Sequence, residues 1–184
     1  MDEQQLLKAL ANPSVREAAF TMLVNQYSEK LYWVVRHIVG THEDTDDVMQ
    51  NTFLKVWKKL DEFRGDSKIS TWLHRVAVNE AIDYLRRQKK HQGDTSDPEA
   101  LRTASSMHTD FNDQYFDGDD IERLLREAIN TLPEAQRVTF TMKYYENMQY
   151  SEISQILGTS EGGLKANYHH AVEKIKHYIL AAQK

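Results

Sequence analysis

A segment near the C-terminal end of the chain combines hydrogen-bonding side chains with little bulk. Its polar or small positions are Lys165, Ala166, Asn167, His169, His170 and Glu173. Apolar residues recur between them at intervals of three and four, at Leu164, Tyr168, Ala171, Val172, Ile175 and Ile179. This spacing predicts an amphipathic helix that buries the apolar stripe. The other face is left free to form hydrogen bonds with another molecule.

A shorter helix is predicted immediately before this one. The sequence YSEISQIL offers Ser151 as a possible N-cap, and Gly158 follows where a helix can end in a left-handed residue. Thr159 and Ser160 then provide capping hydroxyls, and Glu161 suits the positive end of a second helix dipole. Two helices joined by so short a turn predict a helix-turn-helix, whose second helix lies in the DNA major groove in DNA-binding versions. An ordinary helical corner is the alternative interpretation.

The eight histidines of the chain raise the alternative of metal chemistry. His169 and His170 are adjacent, so they project about 100° apart on a helix and cannot form the same-face pair of an HExxH motif. Glu173 lies four residues after His169, a single pair that is common by chance. The chain has no cysteine and neither a GxGxxG nor a P-loop pattern. We therefore expect no catalytic residues, no metal and no cofactor, and a helical metal hydrolase is a minor alternative that metal analysis would test.

Helical periodicity also extends through the rest of the chain. We predict helices from Val15 to Val39, from Thr41 to about Leu60, after Thr71 to about Lys90, from Ile121 to Thr131 and from Pro133 to about Asn147. The fold class is therefore all-α. The C-terminal piece is predicted to be a four-helix module that contains the helix-turn-helix.

The helix after Thr71 is the most basic segment of the chain. Its predicted core side is Leu73, Val76, Ala77, Ala81, Ile82 and Leu85. Its predicted outward side is His74, Arg75, Val78, Asn79, Asp83, Arg86, Arg87, Lys89 and Lys90. A basic helix beside an aromatic residue such as Trp72 suits a single strand of nucleic acid, because cations follow phosphates and aromatics stack on bases. A solvated helix end is the alternative.

Charge divides the chain into three parts. Residues 1–90 hold 14 Lys and Arg against 13 Asp and Glu, and residues 121–184 hold 8 against 7. Residues 91–120 hold one Arg against eight acids, which accounts for the overall charge of -5. Periodicity is also lost in residues 91–120, so we predict an acidic flexible linker there between two small helical domains, at 8–90 and 121–184. Both flanking domains can still bind phosphate, because neither carries the excess negative charge of the linker.

The sequence gives no sign of a membrane segment. No apolar run approaches the eighteen or so residues that a spanning helix needs, and the first ten residues lack the pattern of a signal peptide. We expect a cytoplasmic protein without stable membrane insertion.

Several segments, taken in order, resemble the extracytoplasmic-function (ECF) sigma factors of bacterial RNA polymerase, within the sigma-70 family. They are DTDDVMQNTFLKVWKKLDEFRG, STWLHRVAVNEAIDYLRRQ, LPEAQRVTFTMKYYENMQYSEISQIL and GTSEGGLKANYHHAV. The resemblance implies a promoter-specificity subunit that binds the clamp and flap of core RNA polymerase. It also implies that residues 8–90 recognise and melt the minus-ten element of promoter DNA, and that residues 121–184 read the minus-thirty-five element as duplex.

The same resemblance assigns residues to each surface. It assigns polymerase binding to Asp47, Gln50, Phe53, Leu54 and Trp57. Phe53 and Trp57 can also pack in the core. It assigns contact with the melted minus-ten strand to Ser67, Lys68, Trp72, Arg75, Asn79 and Arg86. It assigns contact with the minus-thirty-five duplex to Ser160, Glu161, Gly162, Lys165, Ala166, Asn167, His169 and His170.

The predicted reading helix departs from the common family pattern. Many members have a hydroxyl where Ala166 stands and arginines where Asn167 and His170 stand. Because arginine paired with guanine is the commonest specific contact, no family promoter sequence transfers to this chain. The resemblance further implies an anti-sigma factor, which can hold the protein at the inner membrane. The competing interpretation is an autonomous helix-turn-helix regulator that acts without polymerase.

Overall fold

The computed structural model describes residues 2–93 and 120–182, with the side chains of residues 91–93 left aside. Every regular element within these ranges is a helix. The helices are α1 (Glu3–Ala11), α2 (Arg16–Val39), α3 (His42–Lys59), α4 (Ile69–Gly93), α5 (Asp120–Asn130), α6 (Glu134–Tyr144), α7 (Tyr150–Leu157) and α8 (Glu161–Ala182). A single 3-10 turn, Leu60–Glu62, follows α3. The predicted all-α class is confirmed, whereas the predicted linker lies largely outside the described residues.

The N-terminal half is organised around α2, which packs against α1, α3 and α4. Its buried positions Leu31, Val34, Val35 and Ile38 are fully shielded from solvent. Thr41 caps α3 by accepting a hydrogen bond from the Asp44 N–H at 3.1 Å. The long apolar stripe therefore fixes α2 at the centre, and the cap sets where α3 begins.

Helix α1 is an element that the sequence analysis missed. A capping box begins it: the Asp2 side chain accepts from the Gln5 N–H, and the Gln5 side chain accepts from the Asp2 N–H. Leu6 and Leu10, 0% and 4% exposed, anchor the helix in the core. Leu6 and Leu10 are four residues apart, and this helical spacing is the sequence signal for α1.

The C-terminal half is the predicted four-helix module. Helices α5, α6 and α8 enclose a small core of Ala128, Ile129, Leu132, Phe140, Ala171 and Ile175. Gly158 ends α7 with φ 69°, the left-handed conformation predicted for it. The Ser160 hydroxyl then accepts from the Gly163 N–H at 3.2 Å at the start of α8, which confirms the predicted turn between the two helices.

A second, larger hydrophobic core contains residues from both halves. Val138, Met142 and Ile153 of the C-terminal half belong to the same buried cluster as Leu73 and Leu31 of the N-terminal half. Helix α7 packs on α4, and α6 packs on α2. Arg137 strengthens this contact, because its guanidinium donates to the carbonyl oxygen of Ile38 at 3.2 Å, near the C-terminal end of α2.

Some local predictions were wrong. The N-cap of α7 is Gln149, which forms a capping box with Glu152, so Ser151 lies inside the helix. Helix α6 ends at Tyr144 instead of Asn147, which adopts a positive φ of 51°. Val172 was predicted to be buried but is 36% exposed.

Two residues of α4 were also misassigned. His74 and Val78 were predicted to face outward, but they are 3% and 0% exposed. Each lies on the side of α4 that α7 or the N-terminal helices can cover, and the prediction assumed a helix with only one buried face. Among the described residues, no helix is long and apolar enough to cross a membrane.

Candidate nucleic-acid and polymerase interface

The polar face of α8 is exposed as the sequence predicts. Lys165, Ala166, His169 and His170 are exposed on the helix surface, and Asn167 is half-buried. The Lys165 ammonium lies 5.7 Å from the centre of the Tyr150 ring in α7. This cation–π contact orients the charge near the turn between the two helices. The face can offer one cation and several single hydrogen bonds, without a bidentate guanidinium.

The start of α8 is exposed at Ser160, Glu161 and Gly162. The first N–H groups of α8 point toward the same end of the helix, where a phosphate oxygen is favoured by the helix dipole. Ser160 is occupied as a cap, and its hydroxyl oxygen already accepts from Gly163. The turn is therefore suited to backbone contacts, whereas the following two turns carry the side chains that can reach bases.

A second exposed polar face lies on α4 and the loop before it. Arg75, Asn79 and Arg86 are exposed, as is Lys68, whereas Ser67 is half-buried. Trp72 is half-buried as well, and its ring centre lies 5.2 Å from that of Phe63. Trp72 is thus packed at the edge of the core with part of its ring available, a usual position for an aromatic that stacks on a ligand.

Two of these cations are engaged by the C-terminal half. Arg75 Nη2 donates to the Gln155 carbonyl oxygen at 2.7 Å. Arg86 Nη2 donates to Glu134 Oε1 at 2.8 Å. Residues of α6 and α7 therefore form hydrogen bonds with part of the surface that the family resemblance assigns to a melted strand.

Buried polar groups stiffen the helix beneath this face. The carboxylate of Glu80 pairs with Lys55 of α3 and with Arg87 of α4. Burial raises the pKa of Glu80, but the hydrogen bonds from Lys55 and Arg87 outweigh it, so the pKa is lowered overall. Burial lowers the pKa of His74, whose Nδ1 lies 2.7 Å from the Ser70 carbonyl oxygen. His74 is thereby a structural residue of α4.

The residues assigned to polymerase binding divide into two groups. Asp47, Gln50 and Leu54 are exposed on α3, and Leu54 is 53% accessible. Phe53 and Trp57 are half-buried and make edge contacts with Phe20, whose ring centre lies 6.5 Å and 4.9 Å from theirs. The first group forms an exposed patch with an apolar centre, and the second group supports it from the core.

The sequence analysis missed an apolar groove in the C-terminal half. It has a volume of about 430 Å³ and lies between α5, α6 and α8. The aromatic floor consists of Phe140 stacked between Tyr144 and Tyr168, with ring centres 5.0 Å and 5.7 Å away. Tyr144 and Leu180 at its edge are 54% and 52% exposed. Phe140 and Tyr144, four residues apart on α6, are the available sequence signal, and Tyr168 joins them from α8.

Within residues 2–93 and 120–182, no group of three or more His, Asp and Glu side chains is placed to hold a metal ion. His169 and His170 have ring centres 5.9 Å apart, with ring planes inclined by 58°. Both side chains are exposed on α8, where they can form hydrogen bonds with a partner.

Two family matches cover the two halves of the chain. Residues 23–91 match Sigma-70 region 2, and residues 122–175 match Sigma-70, region 4. The first match contains α3 and α4 with their exposed faces, and the second contains the helix-turn-helix. Regions 2 and 4 in this order define a sigma factor, an initiation factor of transcription that acts with RNA polymerase and is not itself an enzyme.

Curated relatives narrow the class. The chain is 30% identical over 168 residues to the ECF RNA polymerase sigma-E factor of Salmonella typhimurium, covering 89% of this chain and 87% of the relative. The sigma-E factor of Escherichia coli (strain K12) gives the same identity and coverage. That of Haemophilus influenzae is 28% identical over 166 residues, with 88% and 87% covered. The chain belongs to the ECF sigma factors of the sigma-70 family.

Solved structures show the same fold. CnrH, in complex with the cytosolic domain of CnrY, has a TM-score of 0.67 at 23% identity, with 99% of both chains covered. The sigma factor RpoE of Bartonella quintana, in complex with the anti-sigma factor NepR, also has a TM-score of 0.67, at 20% identity, with 87% of this chain and 96% of that chain covered. The helical architecture is thus shared with two solved chains of low sequence identity.

Proposed function

We propose that this sigma factor directs initiation by reading two promoter elements in different physical states. The observation that carries the proposal is the pair of exposed polar faces, one on α4 within region 2 and one on α8 within region 4. The α8 face reads the minus-thirty-five element as duplex. The α4 face and its loop hold the minus-ten element as a melted strand.

Reading of the duplex rests on Lys165, Ala166, His169 and His170, which lie on one exposed side of α8. An α-helix fits the major groove, where each base pair presents a distinct pattern of donors and acceptors. Asn167 is half-buried and reaches the groove only from the edge of this side. Ser160, Glu161 and Gly162 lie beside the phosphate backbone and fix the register of α8.

Capture of the melted strand rests on the basic face of α4. Arg75 and Arg86 follow phosphates, Asn79 contacts a base edge, and Trp72 stacks on an unpaired base. Lys68 and Ser67 extend the surface along the preceding loop. Arg75 and Arg86 exchange Gln155 and Glu134 for phosphates when the strand binds, which removes two contacts between the two halves.

Polymerase binding rests on two surfaces. The α3 patch of Asp47, Gln50 and Leu54 binds the clamp, with Phe53 and Trp57 supporting it from below. The apolar groove lined by Tyr144, Tyr168 and Leu180 binds the flap. An exposed aromatic groove suits a partner helix or loop with large apolar side chains.

We assign the functional domains to residues 8–90 and 121–184, joined by an acidic linker at 91–120. The charge of the linker keeps it away from DNA and allows it to follow a path in the polymerase meant for nucleic acid. The protein works in the cytoplasm, where the polymerase and promoter are, and an anti-sigma factor holds it inactive there or at the inner membrane.

The proposal is tested by transcription in vitro with purified core polymerase and a promoter library. We expect stable binding to core, and transcripts from promoters that share two spaced elements. Asn79→Ala should reduce transcription from duplex promoters while largely sparing templates premelted at the minus-ten element. The substitution Gln26→Ala on α2 is a matched control, because Gln26 is exposed and lies outside all four assigned surfaces.

Failure to bind core polymerase would overturn the proposal. Tight, sequence-specific duplex binding by the isolated protein at physiological salt would instead favour an autonomous regulator. A sigma domain of near-neutral charge should bind duplex weakly by itself.

A further inference from the structure

Helix α1 makes a direct contact with the start of α4, although the two segments are far apart in the chain. Glu3 Oε1 accepts a hydrogen bond from the backbone N–H of Ile69 at 2.6 Å. Ile69 is the first residue of α4 and is fully buried. Helix α1 lies outside both matched ranges, which begin at residues 23 and 122. A carboxylate from a separate segment therefore caps the helix that carries the melted-strand face.

This contact is favoured by ordinary helix electrostatics. The first N–H groups of a helix lack partners within the helix, and a carboxylate placed there also meets the positive end of the helix dipole. Glu3 is held in place because the Asp2 capping box starts α1 and Leu6 anchors it in the core. Burial raises the pKa of the Tyr27 hydroxyl in α2, and the negative charge of Glu3 raises it further.

The loop that precedes α4 ends immediately before the capped residue, Ile69. Gly65 in this loop has φ +77°, and Phe63 at its start packs against Trp72. The Trp72 N–H donates to the Lys68 carbonyl at 3.2 Å, which joins the end of the loop to the first turn of α4. The loop is thus fixed at its start by aromatic packing and at its end by Glu3.

We propose that Glu3 is a positioning residue for promoter opening. Its carboxylate holds the first turn of α4, and with it Ser67 and Lys68, in the geometry that receives the melted minus-ten strand. This inference rests on the proposed function of the α4 face. Glu3 acts through Ile69 and does not itself contact DNA, because its carboxylate accepts the hydrogen bond from the Ile69 N–H.

The experiment uses the full chain bound to core polymerase on a promoter recovered from the library. Permanganate reactivity of unpaired thymines measures opening, and parallel titrations measure core binding. Glu3→Ala should lower the open fraction about fivefold, by loss of the cap, on duplex DNA and much less on a premelted template. Glu3→Gln should restore most of the opening, because its amide oxygen can still accept from Ile69. Gln4→Ala, an exposed neighbour on α1, should leave opening unchanged.

Lys68→Ala separates this inference from the proposed function. If Lys68→Ala and Asn79→Ala each opened the promoter normally, the α4 face would not hold the melted strand. The proposed function of this face and the positioning role of Glu3 would then both fail. Impaired opening by these two variants but normal opening by Glu3→Ala would overturn the positioning role alone. If Glu3→Ala instead lost core binding, thermal stability and opening to the same extent, without rescue by Glu3→Gln, Glu3 would be a general structural residue. The positioning role would then also be overturned.

Discussion

The guanidinium of Arg86 on α4 donates to the carboxylate of Glu134 on α6 at 2.8 Å, so one side chain joins the two halves of the protein. This hydrogen bond raises the pKa of Arg86, with the charge of Glu134 acting in the same direction. Under the proposed function, Glu134 and a DNA phosphate compete for Arg86, and this contact belongs to the closed arrangement, in which the two halves are packed together.

Glu134→Gln should favour the open arrangement. Loss of the carboxylate removes the charge that competes with phosphate for Arg86, so the free protein should bind a minus-ten single strand about twofold more tightly, as suits an exposed ion pair. Fluorescence anisotropy at low salt measures this affinity. Glu122→Gln, an exposed acid on α5, should have no such effect. An unchanged affinity for Glu134→Gln would mean that the ion pair does not limit access to α4.

Lys165→Ala and His169→Ala should each weaken recognition of the upstream element by roughly fivefold, with core binding unchanged. Lys165 supplies the cation of the exposed α8 face, so its loss should also reduce the salt dependence of promoter binding by about one ion. Promoter binding by the holoenzyme, measured across a salt series with intact and scrambled minus-thirty-five elements, checks both effects.

Lys174→Ala is the matched control for the α8 substitutions. Lys174 is exposed but lies half a helical rotation away from Lys165. Equal losses from Lys165→Ala and Lys174→Ala would show that the wrong side of α8 has been assigned. A parallel loss of core binding would assign the α8 face to polymerase.

The sequence predicted the helices whose apolar stripe is single and whose ends carry strong signals. Gly158 and Ser160 marked the turn correctly because each has a local backbone role that its residue type determines. His74 and Val78 were misplaced because α4 is covered on more than one side, and a helix between two partners has no single stripe. The Arg86–Glu134 and Glu3–Ile69 contacts join positions 48 and 66 residues apart, so no local pattern could indicate them.

Gly158→Ala should destabilise the helix-turn-helix. Gly158 has φ +69° with open space around it, so an alanine there would be strained by its backbone conformation alone. We expect a loss of about 1 kcal/mol in the free energy of unfolding, measured by urea denaturation. Gly162→Ala provides the control, because Gly162 also has open space but lies in the first turn of α8 without a positive φ. It should be neutral or slightly stabilising, and a similar loss at both positions would contradict the argument.

The free energy of unfolding should fall at low pH because His37 becomes protonated. The His37 ring of α2 stacks on Tyr145 at the end of α6, with ring centres 3.7 Å apart and planes within 5°. Burial lowers the pKa of His37 to about 4, and nearby Arg36 and Arg126 act in the same direction. An unfolded histidine has a pKa of about 6.5, so between these two values the unfolded chain binds more protons than the folded chain. The contribution of neutral His37 is therefore complete above pH 6.5 and is lost as the pH falls towards 4.

His37→Phe should flatten this dependence, because phenylalanine keeps the stacking contact and cannot take up a proton. The difference in unfolding free energy between pH 7 and pH 4.5 should shrink by roughly 3 kcal/mol at most, measured by urea denaturation at both values. His74 has a lowered pKa for the same reason, burial, so part of the acid sensitivity should persist in the variant. His177→Phe, at an exposed position, should leave the profile unchanged. If His37→Phe retained the full dependence, the acid sensitivity would belong to groups other than the ring that joins α2 to α6.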